Sequence, residues 1–378
     1  MMHTTIAINA INSTSGGGKS IRDSMLRLLN TKNLETHIAV LSPPDAGLDF
    51  ITNPQISIVE VPAWYSRTYA APVVYHVMIG RVLQRIGAQV VVNLGDLIIH
   101  TNSRQVYIFD WPYALEVLPK IWQEMKPYDK LIRKTKLCLL EKDFHRPEIV
   151  IAQTNVIKDI LQEKYNLRDV RVIGNAVTIP NPQEEINYPN FNLPSGLRLL
   201  YPALYYPHKN HKILLSVAER IKEKGLDYRI IVTVSPDSRA AVDFITQISA
   251  RGLQEVLHNV GQVKLDDMPA LYQQCDALLM PTLLESFSIV YPEAMHYGLP
   301  IITSDMWFAR AVCDKAACYF DPFDSHNILN MIEEVMSNKN MRQALINEGK
   351  AQLASFSGWD DNLKSIMAIV DELLALQA

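Results

Sequence analysis
Residues 281–300 read PTLLESFSIVYPEAMHYGLP, and the fold turns on this stretch. The apolar run Ala277–Met280 leads into it and reads as a buried strand. A loop over 281–286 carries Glu285. Phe287, Ile289, Val290, Glu293, Ala294 and Tyr297 then recur at helical spacing, and Gly298-Leu299-Pro300 stops the helix. The first N–H groups of a helix have no partners within it, and the helix dipole favours negative charge there. A strand, a short loop and a helix start are therefore expected to seat an anion, typically a phosphate. Glu285 and Glu293 flank that seat. Carboxylates repel phosphate, so both read as acceptors for hydroxyls, those of a ribose or a sugar. The structural alternative is a Rossmann-like helix with two solvated glutamates.

The whole chain sets the bounds. Its 378 residues suit two domains, and 48% hydrophobic with 20% charged residues supports a packed core. A net charge of -4 gives no basis for nucleic-acid binding. Cys138, Cys275, Cys313 and Cys318 form no CxxC pair, so neither a zinc motif nor a disulfide framework is expected. The opening MMHTTIAINAIN lacks a basic region and is too short and polar to span a membrane, so a cytoplasmic protein is expected.

Strands and helices alternate through the first half. Strands are predicted over 4–11, 37–41, 56–61, 89–94, 106–109, 149–152 and 170–173, with helices over 19–33, 73–86 and 157–165. This alternation predicts a parallel sheet covered on both faces, which binds ligands beyond the carboxyl ends of its strands.

The loop STSGGGKS at 13–20 resembles the end of a phosphate loop, but that motif needs glycine where Ser13 stands. A GxGxxG reading fails at Ile21. Three glycines still let backbone approach a ligand closely just before a helix, with Gly17 and Gly18 the candidates; a simple glycine turn is the alternative. In VYIFDWPYALEVLP (106–119), Asp110 falls at the carboxyl end of a strand and before a rigid aromatic turn. It accepts a sugar hydroxyl, helps steer an acceptor proton, or merely caps the turn. The run from Lys120 to Lys142 is basic and amphipathic, which suits either contact with anionic lipid or a solvated helix face.

A Pro- and Asn-rich segment precedes the second half and marks a domain boundary. A strand over 198–202 leads to YYPHKNHK (205–212), which brings His208 and Lys209 to the mouth of a helix over 212–224. A lysine there answers phosphate as a point charge. Further strands are predicted over 228–234, 256–260, 301–303 and 317–320, and a final helix over 359–375. No Asp-x-Asp triplet ends a strand; Asp266-Asp267 and Asp360-Asp361 read as helix caps. No metal or other cofactor is expected.

The run ESFSIVYPEAMHYGLPII (285–302) closely resembles the signature of the retaining glycosyltransferases of family 4, within the glycosyl transferases group 1. The resemblance covers most of the chain, most strongly 198–304, then 9–20 and 106–118. It implies the GT-B fold, an α/β architecture of two Rossmann-like domains with parallel sheets facing across a cleft. An acceptor domain would span 1–176, a linker 177–196 and a donor domain 197–357, with the helix at 358–378 packing back on the first domain. By the same resemblance Glu293 binds the ribose of a nucleotide-sugar and Glu285 sits against the donor sugar. The N–H groups of Ser286, Phe287 and Ser288 hold the diphosphate with Lys209, Gly17 and Gly18 face it, and the loop at Val263 lies along the base. Asp110 stands where the family more often has histidine. Leu204 stands where it usually has arginine, leaving His208 to supply a phosphate contact.

The implied function is metal-independent, retaining transfer of a hexose from a UDP- or GDP-sugar. The acceptor would be a saccharide or a lipid-linked saccharide in bacterial surface polysaccharide or lipopolysaccharide synthesis. Such an enzyme would be cytoplasmic, or peripheral on the inner face of the membrane through 120–142. A sugar-nucleotide epimerase of the same architecture and a non-catalytic nucleotide-sugar binding protein are the alternatives.

Overall fold
The apolar runs of the sequence become the central strands of two parallel sheets. A computed structural model describes residues 4–14, 16–176 and 189–376. The chain divides into two units, Met1–Val117 with Met125–Ala176 and Ser357–Ala378, and Leu118–Glu124 with Val177–Phe356. Residues 177–188 of the expected linker lie outside the described residues.

In the first unit, β1 (Thr5–Asn9), β2 (His37–Ser42), β3 (Ile56–Glu60), β4 (Ala88–Asn93), β5 (Arg104–Ile108), β6 (Ile149–Ala152) and β7 (Val170–Val172) form one sheet. Its order is β3-β2-β1-β4-β5-β6-β7 and every pairing is parallel. A parallel sheet is covered on both faces, so β1 is buried at all five residues rather than at alternate ones. The helix Trp359–Ala375 belongs to this unit and packs on the helix Gly16–Thr31 and on β4. It adds Leu363, Ile366, Ile369, Val370 and Leu373 to the core. Asn362 Nδ2 donates to Gly174 O, and Arg171 grips the Glu372 carboxylate through both terminal nitrogens.

In the second unit, β8 (Leu197–Tyr201), β9 (Tyr228–Val232), β10 (Leu257–Asn259), β11 (Ala277–Met280), β12 (Ile301–Ser304) and β13 (Ala317–Phe320) follow the order β10-β9-β8-β11-β12-β13, again all parallel. Both sheets are doubly wound. The strand order reverses between β1 and β4 in one and between β8 and β11 in the other. Loops leaving the carboxyl ends of those strands frame the crevice in which such sheets bind ligands.

Four expectations need correction. The helix after Pro281 begins at Val290, not near Phe287, because Ser288 adopts a left-handed backbone (φ 62°) that a helix cannot include. The helix after the glycine loop begins at Gly16, so Gly17 and Gly18 form its first turn; no positive φ is needed there. Neither Asp pair caps a helix through a side chain. Asp267 already has helical backbone after a tight turn at Leu265–Asp267, Gly358 is the cap residue before Trp359, and Asp360 instead pairs with Lys32 at 2.6 Å. Finally, the basic run is two helices, Pro119–Glu124 and Pro127–Asp143, divided at Pro127 and assigned to different units.

Candidate functional site
In the second unit, the loop after β8 meets the loop after β11. Asn210 joins them. It takes a left-handed backbone (φ 55°) to end the turn Pro207–Lys209, and its Nδ2 donates to Pro281 O at 3.1 Å and Pro322 O at 2.9 Å. Tyr201 Oη donates to Lys209 O at 2.6 Å and lies 2.7 Å from Thr282 Oγ1. Leu283 N–H donates to His208 O at 2.8 Å. These bonds fix the backbone under Lys209, whose ammonium forms an ion pair with Glu285. The two side chains are 16% and 12% exposed, so the pair is shielded but still reachable. Sequence reading separated Lys209 and Glu285 into different motifs; the fold makes them partners.

Glu293 lies one turn into the helix Val290–His296. Tyr272 Oη donates to its Oε2 at 2.7 Å, and the Tyr272 ring stacks on Tyr297 with centroids 5.2 Å apart. Burial pushes the Glu293 carboxyl above the usual carboxylate range, and the Tyr272 hydrogen bond offsets part of that shift. A buried carboxylate with one bonded oxygen retains capacity for hydroxyl donors. Phe287 is buried and meets Phe356 edge to face, so it anchors the loop whose amides were assigned to phosphate. Ser286 is buried beside it, and Ser288 carries the strained turn. Val263 is half-buried in the loop after β10, which Asn259 ties to the end of β9 by exchanging hydrogen bonds with Val234.

Of the two histidines in YYPHKNHK, only His208 stays near the surface, its ring stacked on Tyr206. His211 is core. Its Nε2 lies 3.2 Å from Ala203 O, it packs among Tyr201, Tyr205 and Phe244, and burial followed by Lys209 lowers its pKa to about 3. Leu204 is exposed in this loop.

In the first unit, Gly18 and Asp110 line one cavity of about 160 Å³ with Asn12, Ser13, Leu94, Gly95, Asp96 and Trp111. It sits where β1, β4 and β5 end, at the reversal of strand order. Gln153 Nε2 reaches Asp110 Oδ1 at 3.5 Å, and Lys136 pairs with Asp96 while its ammonium lies 5.1 Å from the Trp111 ring centre. Gly17 does not line this cavity. A buried amide network props up the loop. Asn9 Nδ2 donates to Asn93 Oδ1 at 2.8 Å, and Asn93 Nδ2 donates to Gln105 Oε1 at 2.9 Å. Gly95 N–H donates to Asn93 Oδ1 at 2.9 Å. A Cβ on Gly95 would lie 2.0 Å from Tyr75 Oη, so only glycine fits. Asp96, Lys136 and Gly95 were missed; the signal was the pair of asparagines ending two otherwise apolar strands.

Residues 190–352 match the family described as Glycosyl transferases group 1. The chain is 24% identical over 218 residues to an O-antigen chain mannosyltransferase of Salmonella typhimurium, covering 56% of this chain and 59% of that protein. It thus spans about three fifths of the length of the first curated relatives it matches. Among solved structures it is similar to a sucrose-phosphate synthase from Thermosynechococcus elongatus, with TM-score 0.72 and 13% identity over 99% of this chain and 100% of that one. It is also similar to an Anabaena protein solved with UDP-glucose, with TM-score 0.68 and 14% identity over 98% and 100%. These likenesses show the fold as GT-B, with two Rossmann-like domains. No helix among the described residues is long and apolar enough to cross a membrane.

Proposed function
We propose that the chain is a retaining glycosyltransferase, moving a hexose from a UDP- or GDP-sugar to a saccharide or lipid-linked acceptor in bacterial surface polysaccharide synthesis. One observation carries the reading. Glu285 and the hydroxyl-bonded Glu293 hang from the strand–loop–helix after β11, and Lys209, from the loop after the neighbouring β8, pairs with Glu285 at the switch point. Lys209 offers charge to a diphosphate, Glu293 an acceptor to ribose hydroxyls, and Glu285 an acceptor to the sugar. Several of the matched relatives are named as mannosyltransferases and one solved neighbour holds UDP-glucose, which supports a nucleotide-sugar donor.

In this reading the second unit, 197–357, binds the donor and the first, 1–176 with 358–378, binds the acceptor. Lys209 and the amides of Ser286, Phe287 and Ser288 stabilise the charge growing on the leaving diphosphate. The bond from sugar C1 to the phosphate oxygen breaks as the acceptor oxygen bonds C1 on the same face. The departing phosphate takes the acceptor proton. Asp110 orients a hydroxyl. Gly17, Gly18, His208 and Val263 complete the donor contacts, and no metal is needed. The helix Pro127–Asp143 leaves Tyr128 and Leu131 exposed among lysines, which supports peripheral contact with anionic lipid.

The test is calorimetry with UDP-, GDP-, ADP- and dTDP-sugars, followed by transfer assays in EDTA with the anomeric configuration of the product read by NMR. Binding of one donor and a product of retained configuration is expected. No binding to any nucleotide-sugar would sink the reading.

A further inference from the structure
The first unit holds a second constellation, at the opposite end of its sheet. His76, His100 and Asp143 each offer one ligand atom, and these atoms lie within 4.8 Å of one another. Three features build the cluster. His76 lies in Val74–Met78, a π-helical turn inserted in a helical run; such turns are frequent where a side chain must be re-aimed. His100 is locked against that turn by its N–H donating to Tyr75 O at 2.9 Å. The close approach depends on Gly80, where a Cβ would sit 2.3 Å from His100 O. Asp143, in the last turn of Pro127–Asp143, is 2% exposed.

Asp143 gathers the two imidazoles around one carboxylate. Asp143 Oδ2 lies 3.0 Å from His76 Nε2, and Oδ1 lies 3.0 Å from His100 Nε2. His100 Nε2 is buried and faces Asp143 Oδ1 at 3.0 Å, but it is poorly aligned for a hydrogen bond to that oxygen. Arg146 Nε donates to Asp143 Oδ1 at 2.9 Å and acts as the outer partner that orients the carboxylate, leaving Oδ2 to ligate. A tetrahedral zinc ion with bonds of about 2.0–2.2 Å separates its ligands by about 3.3–3.6 Å. The three ligand atoms, within 4.8 Å of one another, would shift by about 1 Å to reach that geometry, from rings stacked with centroids 4.1 Å apart.

We propose that His76, His100 and Asp143 bind a zinc-class divalent ion. Two imidazoles and one carboxylate are borderline donors that favour zinc over magnesium or calcium, whose sites are built of oxygen. The fourth position faces a cavity of about 630 Å³ beside the cluster and takes water. The ion ties the π turn, the loop before β5 and the end of Pro127–Asp143 together. β5 separates this cluster from Asp110 by roughly 17 Å of strand, so the ion stabilises the unit and does not touch the reacting sugar.

The full chain, stripped of metal and desalted, would be titrated with Zn²⁺ against a chromophoric chelator, with Mg²⁺ in parallel. One equivalent of Zn²⁺ should bind, Mg²⁺ should not compete, and saturating Zn²⁺ should raise Tm by about 5 °C. His76→Gln and His100→Gln should each weaken that step at least about tenfold, while exposed His326→Gln leaves it unchanged. Bound Co²⁺ should give an intense visible absorption that both variants lose. Absence of a one-equivalent step in the wild type, or an undiminished step in both His76→Gln and His100→Gln, overturns the site. If the variants fail to fold, the wild-type response decides: no Tm rise and no cobalt spectrum also overturn it.

Discussion
The two switch points of the molecule solve different electrostatic problems. In the second unit the crevice holds a matched pair, Lys209 with Glu285, and a buried carboxylate bonded to Tyr272. In the first unit the cavity is walled by amides, a hydroxyl and two aspartates, with one lysine spent on Asp96. The same doubly wound topology therefore builds one crevice around an ion pair and one around amides and carboxylates. Topology chooses where a ligand sits, and the loop residues choose its charge.

The largest effect should come from the first unit. Asp110→Asn preserves size and turn capping, so Tm should hold, while kcat should fall about 100-fold or more with donor affinity nearly intact. A stable variant with near wild-type turnover would reduce Asp110 to a turn cap and break the contrast. In the second unit, Lys209→Ala should weaken nucleoside diphosphate binding by about 10–100-fold and nucleoside binding hardly at all. Equal losses on both ligands would remove the phosphate contact.

Glu293 sharpens the comparison through pH. Its folded pKa is raised by burial, so its contribution favours the fold fully below the unfolded value and is lost as pH rises through the folded value. Above the folded value, where it is charged, the carboxylate is therefore a cost to the fold. Glu293→Gln should raise Tm at pH above the folded value, lose that advantage in acid, and weaken donor binding about tenfold. Melting curves across pH, read beside donor titrations, separate a binding carboxylate from an ordinary buried one. The smallest effect concerns the ion pair. A diphosphate must compete with Glu285 for Lys209, so Glu285→Gln should tighten free nucleoside diphosphate up to about fivefold while lowering turnover. Weaker binding instead would mean that Glu285 positions Lys209 rather than competing for it.

Much of this was legible in the sequence for a local reason. Strands buried on both faces are unbroken apolar runs, so β6, β11 and β13 could be bounded to the residue from Ile149–Ala152, Ala277–Met280 and Ala317–Phe320. The final helix announced itself by its period. Helix starts were less legible, because a start depends on one backbone angle, as Ser288 shows, and spacing does not report it. His208 and His211 looked alike in one loop, yet one is near the surface and the other is sealed in the core by Tyr201, Tyr205 and Phe244.

By itself, then, the sequence determined the alternation of strands and helices and the identity of the loops at each switch point, because periodicity and turn chemistry act over a few residues. Only the tertiary structure decided which charges meet. Lys209 and Glu285 are 76 residues apart, and His76 reaches Asp143 across 67. Such pairs leave no spacing signature, because they are set by the order of strands in a sheet rather than by distance along the chain.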